Sequence, residues 1–443
     1  MVDRSRRDVL KFSGAALGGI AVGSTVTVAE RTDRFIVDAK GKTDADDLSK
    51  RGLDVVHDLS QLGYFVVEGA EKDVERAKGK YAPDMVISLD LPTDRVDVDA
   101  GDQSATDEPF YGFQWDKQVQ DIPEAHETTR GEGARVAIID SGVNAGHPDL
   151  AHAVNEELSA NFTGDGQGAA NAAGGYHGTH VAGIVAANDR NEAGVVGTAP
   201  GAEVVDCRVF SATTNAAFGD ILAAVAYSAD IGCDVANLSL GAYPVSRKGN
   251  GKFYGKFLNS TMTYANSKGT LLTISTGNDG ADLQHDGPVY ALPVEGAQGC
   301  GVSATGPVGF GYGGPDLEEA FDSPSNYTNY GTNAVTVSAP GGDYDPAQPA
   351  GWYYDMVLST ISEPAYDDDG DYLGAVNSYS WIAGTSMAAP QVAGAAALVK
   401  SEAPDMNANQ VESLLKRTAT DGTGGKEYHG SGFVNPVGAL EEL

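Results

Sequence analysis

The segment Gly384-Thr385-Ser386-Met387-Ala388-Ala389-Pro390-Gln391-Val392-Ala393-Gly394 constrains this chain more than any other. A serine stands between a tight Gly-Thr turn and a run of small apolar residues, which reads as a buried helix. The Ser386 hydroxyl then belongs at a helix N-terminus, where unpaired backbone N–H groups and the positive dipole end favour developing negative charge. Two further segments share this character. Val136-Ala137-Ile138-Ile139-Asp140-Ser141-Gly142 is an apolar run of the kind found in fully buried strands, and it ends in an aspartate. His177-Gly178-Thr179-His180-Val181-Ala182-Gly183-Ile184-Val185-Ala186-Ala187 leads from a histidine into a second small-residue helix. Open α/β sheets build their sites at strand C-terminal ends, where Asp140 would lie.

Serine is a poor nucleophile near neutral pH; it needs a neutral imidazole to take its proton and an anion to orient that imidazole. Asp140, His177 and Ser386 supply the set. Singly, each has another use. Asp140-Ser141-Gly142 matches an aspartic-protease loop, but no convincing second copy exists to bring two carboxylates together. His177 and His180 are spaced as metal ligands can be, without a His-Glu-x-x-His pattern or cysteine spacing nearby. His180 is expected to pack or hydrogen-bond within its helix. Ser386 could be a plain N-cap, and Ala388 removes it from a Gly-x-Ser-x-Gly elbow.

In the order Asp, His, Ser, these segments closely resemble the subtilisin-like serine protease family, in particular its secreted halophilic, halolysin-like members. Asn237-Leu238-Ser239-Leu240-Gly241 and Ser275-Thr276-Gly277-Asn278-Asp279-Gly280 also match, so the resemblance spans roughly residues 110 to 443. It implies a serine endopeptidase acting through an acyl-enzyme, with Ser386 as nucleophile, His177 as base and then acid, and Asp140 as the orienting anion in one hydrogen-bonded relay. It also implies Asn278 and the Ser386 backbone N–H as oxyanion donors; Asn278 alone would read as a turn residue. Ser239, Leu240 and Gly241 resemble the edge that pairs with an extended substrate, against the alternative of a buried strand ending in a turn. No organic cofactor is implied. Structural calcium is, at Asp149 and Asn191, although Arg190 is an unfavourable neighbour for a cation and a solvated turn explains the loop equally well.

The expected fold is α/β, a doubly wound, mostly parallel sheet flanked by helices over residues 109–443. Val204 to Val209, Asp234 to Leu240, Leu271 to Ser275 and Ala334 to Ala339 read as core strands, and Phe218 to Ile231 as a helix. Asn407 and Gln410 form a capping box before an amphipathic helix. Tyr243 to Lys256 and Gly306 to Pro324 read as surface insertions. Residues 30–108 hold a βαββαβ pattern, with Glu71 to Lys78 as its second helix, expected to form a small ferredoxin-like α+β unit. In this position it looks like the family's inhibitory, folding-assisting propeptide, a partner in cis; a permanent accessory domain is the alternative. The aspartate-rich stretch Thr93 to Glu108 is expected to be open to cleavage. Residues 1–29 carry Arg6-Arg7 and a mildly apolar stretch from Phe12 to Ala29, resembling a twin-arginine export signal rather than a merely basic terminus.

The 62 acidic residues outnumber the 29 basic ones, giving a formal net charge of -33. Such self-repulsion destabilises a compact fold in dilute buffer, whereas at about 1 M salt the Debye length is only about 3 Å. The composition therefore reads as adaptation to high salt, with attraction to basic substrates as the runner-up. It argues against nucleic-acid partners, which need clustered positive charge. No segment is apolar enough for a confident membrane span, so the expectation is a secreted monomer acting on polypeptides. Cys207, Cys233 and Cys300 do not make a disulfide scaffold, and one bridge among them cannot be assigned. A catalytically silent binding module and an esterase limited to small substrates are the competing function classes.

Overall fold

The structure, a computed structural model, describes residues 29–40, 43–77, 79–88, 96–97, 108–212, 215–310 and 318–443. The twin-arginine segment and most of the acidic stretch from Thr93 lie outside these residues.

The N-terminal unit runs β1 (Ala29–Asp38), α1 (Ala45–Ser49), β2 (Asp54–Leu59), β3 (Tyr64–Glu68), α2 (Glu71–Val74) and β4 (Lys80–Ser88). The strands pair antiparallel in the order β2-β3-β1-β4. Phe35-Ile36-Val37 and Tyr64-Phe65-Val66-Val67 are apolar at successive positions, so both faces of this sheet need cover. Phe35, Val37, Phe65 and Val67 pack with Leu48, Leu53 and Val74 on the helix side. Ile36, Tyr64, Val66, Ala82 and Met85 belong instead to the core of the rest of the chain. The helix expected over Glu71 to Lys78 stops at Val74.

The larger unit is built on seven parallel strands. In chain order they are β5 (Arg135–Asp140), β6 (Ala160–Asn161), β7 (Glu203–Arg208), β9 (Val235–Leu238), β10 (Leu271–Ser275), β11 (Cys300–Thr305) and β12 (Val337–Pro340); β8 (Asn215–Ala217) lies between β7 and β9 in sequence. The sheet order is β12-β11-β10-β9-β5-β7-β6. After β5 the chain lays down the outer strand β6, inserts β7 between β6 and β5, and then returns to add β9 on the other side of β5. This places a topological switch point at the C-terminal end of β5, where such sheets open a crevice. Helix α3 (His177–Ala186) follows β6, and α4 (Phe218–Asp230) follows β8. Helix α5 (Gly251–Lys268) precedes β10, and α6 (Thr385–Glu402) comes after all seven strands. Helices α3 and α6 pack together over one face of the sheet, α4 and α5 over the other.

The N-terminal sheet covers α4 and α5. Strand β8 extends it by pairing with β4, and the Tyr64 ring lies 4.5 Å from that of Phe257. Asp84, fully buried, accepts the Gly219 N–H in the first turn of α4 at 3.0 Å, where a carboxylate suits the helix dipole. Arg34 bridges Asp84 and Asp220. Tyr243 to Lys256 is not a surface insertion: it forms the strand Ala242–Ser246 and the first turns of α5, whose Tyr254 and Phe257 are buried.

A long hairpin, β13 (Val357–Tyr366) and β14 (Tyr372–Ile382), lies against α3 and leads straight into α6. Gly183 permits this approach, since a Cβ there would sit 2.2 Å from Thr360 Oγ1. Residues Val96–Asp97 pair antiparallel with Trp381 and Ser380 of β14. No helix among the described residues is long and apolar enough to cross a membrane.

Candidate active site

Asp140 is the last residue of β5 and fully buried. Its Oδ1 accepts the Ser141 N–H at 2.6 Å and lies 2.8 Å from Nδ1 of His177, the first residue of α3. Ser141 holds the two elements together: its Oγ accepts the Gly178 N–H at 2.9 Å and donates to the Gly175 carbonyl at 3.1 Å. Gly178 must be glycine here, because a Cβ would lie 2.5 Å from the Gly142 carbonyl. With Nδ1 donating to Asp140, a neutral His177 presents Nε2 as an acceptor. That nitrogen is buried and has no hydrogen-bond partner among the described residues.

Ser386 is the second residue of α6, where a backbone N–H has no intrahelical acceptor. The relay expected from the sequence is incomplete. The Ser386 hydroxyl donates to the Ser239 carbonyl at 3.2 Å and makes no hydrogen bond to His177. A hydroxyl rotates freely to whichever acceptor is nearest, and catalytic hydrogen bonds commonly tighten only with substrate bound.

Asn278 follows β10 and reaches the start of α6. Its Oδ1 accepts both the Thr385 N–H at 2.9 Å and the Thr385 hydroxyl at 2.8 Å. Thr385 Oγ1 in turn accepts the Gly277 N–H at 3.1 Å. These contacts fix the amide so that Nδ2 is the end left without a hydrogen bond to the described residues. Ser239, Leu240 and Gly241 continue beyond the end of β9. Leu240 and Gly241 make no backbone hydrogen bond to other described residues. Strands β5, β9 and β10 and the helices α3 and α6 thus deliver Asp140, Ser239, Asn278, His177 and Ser386 to the C-terminal ends of the central strands.

His180 does not bond within its helix. It is fully buried, its Nε2 lies 3.0 Å from the Ser380 carbonyl, and burial lowers its pKa to about 3. No cluster of three or more potential metal-binding side chains exists among the described residues. The three cysteines are unbridged and buried, and burial raises each thiol pKa, that of Cys233 to about 12.

Asp149 and Asn191 come together through a direct hydrogen bond. Asp149 Oδ1 accepts from Asn191 Nδ2 at 2.8 Å, Oδ2 accepts the Val195 N–H at 3.1 Å, and the Tyr379 hydroxyl bonds the same carboxylate. Glu108, also buried, accepts the backbone N–H groups of Asn191, Glu192 and Ala193 at 2.8–3.1 Å. Calcium needs six to eight oxygens turned inward at about 2.3–2.6 Å. Here N–H and O–H donors converge on two carboxylates, so the loop has the opposite polarity.

Sequence reasoning missed Ser141, Thr385, Glu108 and Tyr379. Only the first two, adjacent to Asp140 and Ser386, carried a local signal. Residues 131–434 match the model of the Subtilase family. Thermitase from Thermoactinomyces vulgaris is 29% identical over 75% of this chain and 97% of its own length. A solved protease from Pseudoalteromonas arctica is 28% identical with a TM-score of 0.61, covering 76% of this chain and 99% of that one. The epidermin leader peptide processing serine protease of Staphylococcus aureus has the same fold at 20% identity and a TM-score of 0.72, over 93% of this chain and 98% of that one. A seven-stranded parallel sheet with these residues gathered at its switch point, and a family match across most of the chain, make this protein a member of the subtilase family of serine proteases.

Proposed function

We propose that the chain is a secreted, self-processing endopeptidase whose nucleophile is Ser386. The observation that carries this reading is the Asp140–His177 pair, which leaves Nε2 buried and without a hydrogen-bond partner among the described residues, at the strand ends that also receive Ser386. On substrate binding the Ser386 hydroxyl leaves the Ser239 carbonyl and passes its proton to His177 Nε2 as its oxygen attacks the peptide carbonyl. Asp140 holds the imidazole tautomer and stabilises the imidazolium. The oxyanion of the tetrahedral intermediate takes hydrogen bonds from Asn278 Nδ2 and the Ser386 N–H. His177 then returns the proton to the leaving amine, giving the acyl-enzyme, and water repeats the sequence to release it. Leu240 and Gly241, whose backbone groups make no hydrogen bond to other described residues, take the substrate as an added strand.

The N-terminal unit acts as the propeptide. It buries an apolar face against α4 and α5, shares β8 of the larger unit, and is followed by the pair Val96–Asp97 on the strand that runs into Ser386. Its removal exposes that apolar face, which supports a role during folding and latency. The Arg6-Arg7 segment supports export by the twin-arginine route, and the net charge of -33 supports function at high salt.

Mass spectrometry of the purified chain beside its Ser386→Ala form tests the proposal, together with labelling by a serine-directed fluorophosphonate. Cleavage between the units and label on Ser386 are expected in the first and neither in the second. An unlabelled, unprocessed parent chain under saturating salt would refute it.

A further inference from the structure

Helix α6 contains a proline at its sixth position, four residues after Ser386. Proline has no N–H, so the carbonyl of Ser386 loses the intrahelical donor that residue 390 would otherwise supply, and the ring pushes that carbonyl aside. The Ser386 carbonyl nevertheless has a partner: Ser239 Oγ donates to it at 2.7 Å. Ser239 Oγ accepts from Asn237 Nδ2 at 2.9 Å, and Asn237 Oδ1 accepts from Thr273 Oγ1 at 3.0 Å. Thr273 and Asn237 are register partners on the adjacent strands β10 and β9. All three side chains are fully buried.

We propose that the Ser239 side chain is a positioning residue for the nucleophile, replacing the backbone donor that Pro390 removes. The inference rests on Ser386 being the nucleophile and adds to that reading. A hydrogen bond from residue 390 would pull the Ser386 carbonyl along the helix axis. The bond from Ser239 pulls it sideways to the sheet, so the first turn of α6 is fixed to the strand end that carries Leu240 and Gly241. The nucleophile and the substrate edge are then set relative to each other by one hydroxyl, whose orientation is in turn fixed by Asn237 and Thr273. The Ser239 side chain touches the backbone of Ser386 and no reacting atom, the Ser386 hydroxyl meeting only the Ser239 carbonyl; the side chain acts through the direction of the Ser386 Cα–Cβ bond.

The test is a double-variant cycle read by the rate of fluorophosphonate labelling, by kcat and KM on a short peptide anilide, and by thermal unfolding. Ser239→Ala orphans a buried carbonyl and should slow labelling and kcat about tenfold or more, with KM little changed. Its pH profile should keep the parent's midpoint, because His177 is untouched. Ser239→Thr, which retains the hydroxyl, should recover most of the rate. Pro390→Ala restores an N–H to the Ser386 carbonyl, so Ser239→Ala should cost far less in that background than alone. Additive losses in the cycle, wild-type labelling by Ser239→Ala, or a defect confined to KM would each overturn the proposal. Should Ser239→Ala fail to fold, the Pro390→Ala, Ser239→Ala double variant decides, since it must fold and react; a double variant no better than the single one overturns the idea. Labelling of the parent chain at Ser386 tests the nucleophile assignment separately, whatever the Ser239 variants do.

Discussion

Asn278 has two ends with two jobs, and substitutions can separate them. Its Oδ1 accepts two hydrogen bonds from Thr385 and so caps the first N–H of α6; its Nδ2 is the proposed oxyanion donor. Asn278→Ala removes both. The lost cap resembles an N-cap deletion and should cost about 1 kcal/mol, with up to about 2 kcal/mol where the orphaned N–H is hard to hydrate. The lost donor should lower kcat about 10²–10³-fold, a range set within this same family, or roughly 2.7–4 kcal/mol of transition-state stabilisation. Asn278→Asp keeps both acceptor positions and places a negative charge at a helix N-terminus, which adds about 0.3–1 kcal/mol of stability at low ionic strength. It also points an anion at a developing anion. The two variants should therefore diverge in unfolding midpoint while both lose turnover, Asn278→Asp the more. The assay is kcat and KM on a peptide anilide beside urea unfolding, with the unfolding arm run on Ser386→Ala chains so that autolysis does not intrude. KM should change little, because the oxyanion is absent from the ground state. An Asn278→Asp enzyme retaining parental kcat would refute the reasoning, and a loss appearing in KM alone would move Asn278 to substrate binding.

Other expectations follow from the same geometry. Asp206 on β7 is fully buried, and burial raises its pKa from 3.8 to about 7 despite the Ala170 N–H at 2.8 Å. The folded state thus holds a proton that the unfolded chain releases, so this contribution to stability is present below about pH 4 and lost as pH rises through about 7, on the order of 4 kcal/mol in all. Asp206→Asn should flatten that part of the unfolding free energy between pH 4 and 8, and an unchanged pH dependence removes Asp206 as its source. Because donors already fill the Asp149 and Asn191 site, excess EDTA should leave the unfolding temperature unchanged. A resident calcium at 100-fold its Kd would contribute about 2.7 kcal/mol, so a drop of several degrees on chelation would restore the metal reading. Desalting should unfold the protein reversibly if the charge of -33 is a high-salt adaptation; full activity in dilute buffer would instead leave basic substrates as its explanation.

The sheet was legible because parallel strands buried on both faces read as unbroken apolar runs, and those runs lie near where expected: Asp234 to Leu240 was trimmed to Val235–Leu238, and Ala334 to Ala339 became the shorter, later Val337–Pro340. The residues trimmed from the C-terminal end of the first run are the edge segment Ser239-Leu240, which leaves the ladder instead of pairing in it. Helix α5 was obscured by charge. Arg247, Lys248, Lys252 and Lys256 drew a surface reading, yet Tyr254, Phe257, Leu258, Thr261, Met262 and Ala265 form one buried helical stripe that begins inside that basic stretch. The hairpin β13–β14 had no comparable signal: its outer half carries exposed Leu373 and Val376 beside polar residues, so alternation does not separate a covered face from an open one.

At the site, the residues legible in the sequence are those whose chemistry is local: an aspartate ending a strand, a histidine and a serine each opening a small-residue helix. What holds them was written in pairs of distant positions. Glu108 and Tyr379 convert the loop at Asn191 from a cation cradle into an anion-accepting turn from 83 residues before it in one case and from a separate strand in the other. Pro390 is the intermediate case. Its position four residues beyond Ser386 states locally that the nucleophile's carbonyl must find a donor outside the helix. It does not say which one, because that depends on the end of β9 meeting the first turn of α6 and on Asn237 standing beside Thr273 across two strands. A helix-breaking residue inside the buried part of a helix thus marks, in sequence alone, a place where tertiary structure supplies what secondary structure gives up.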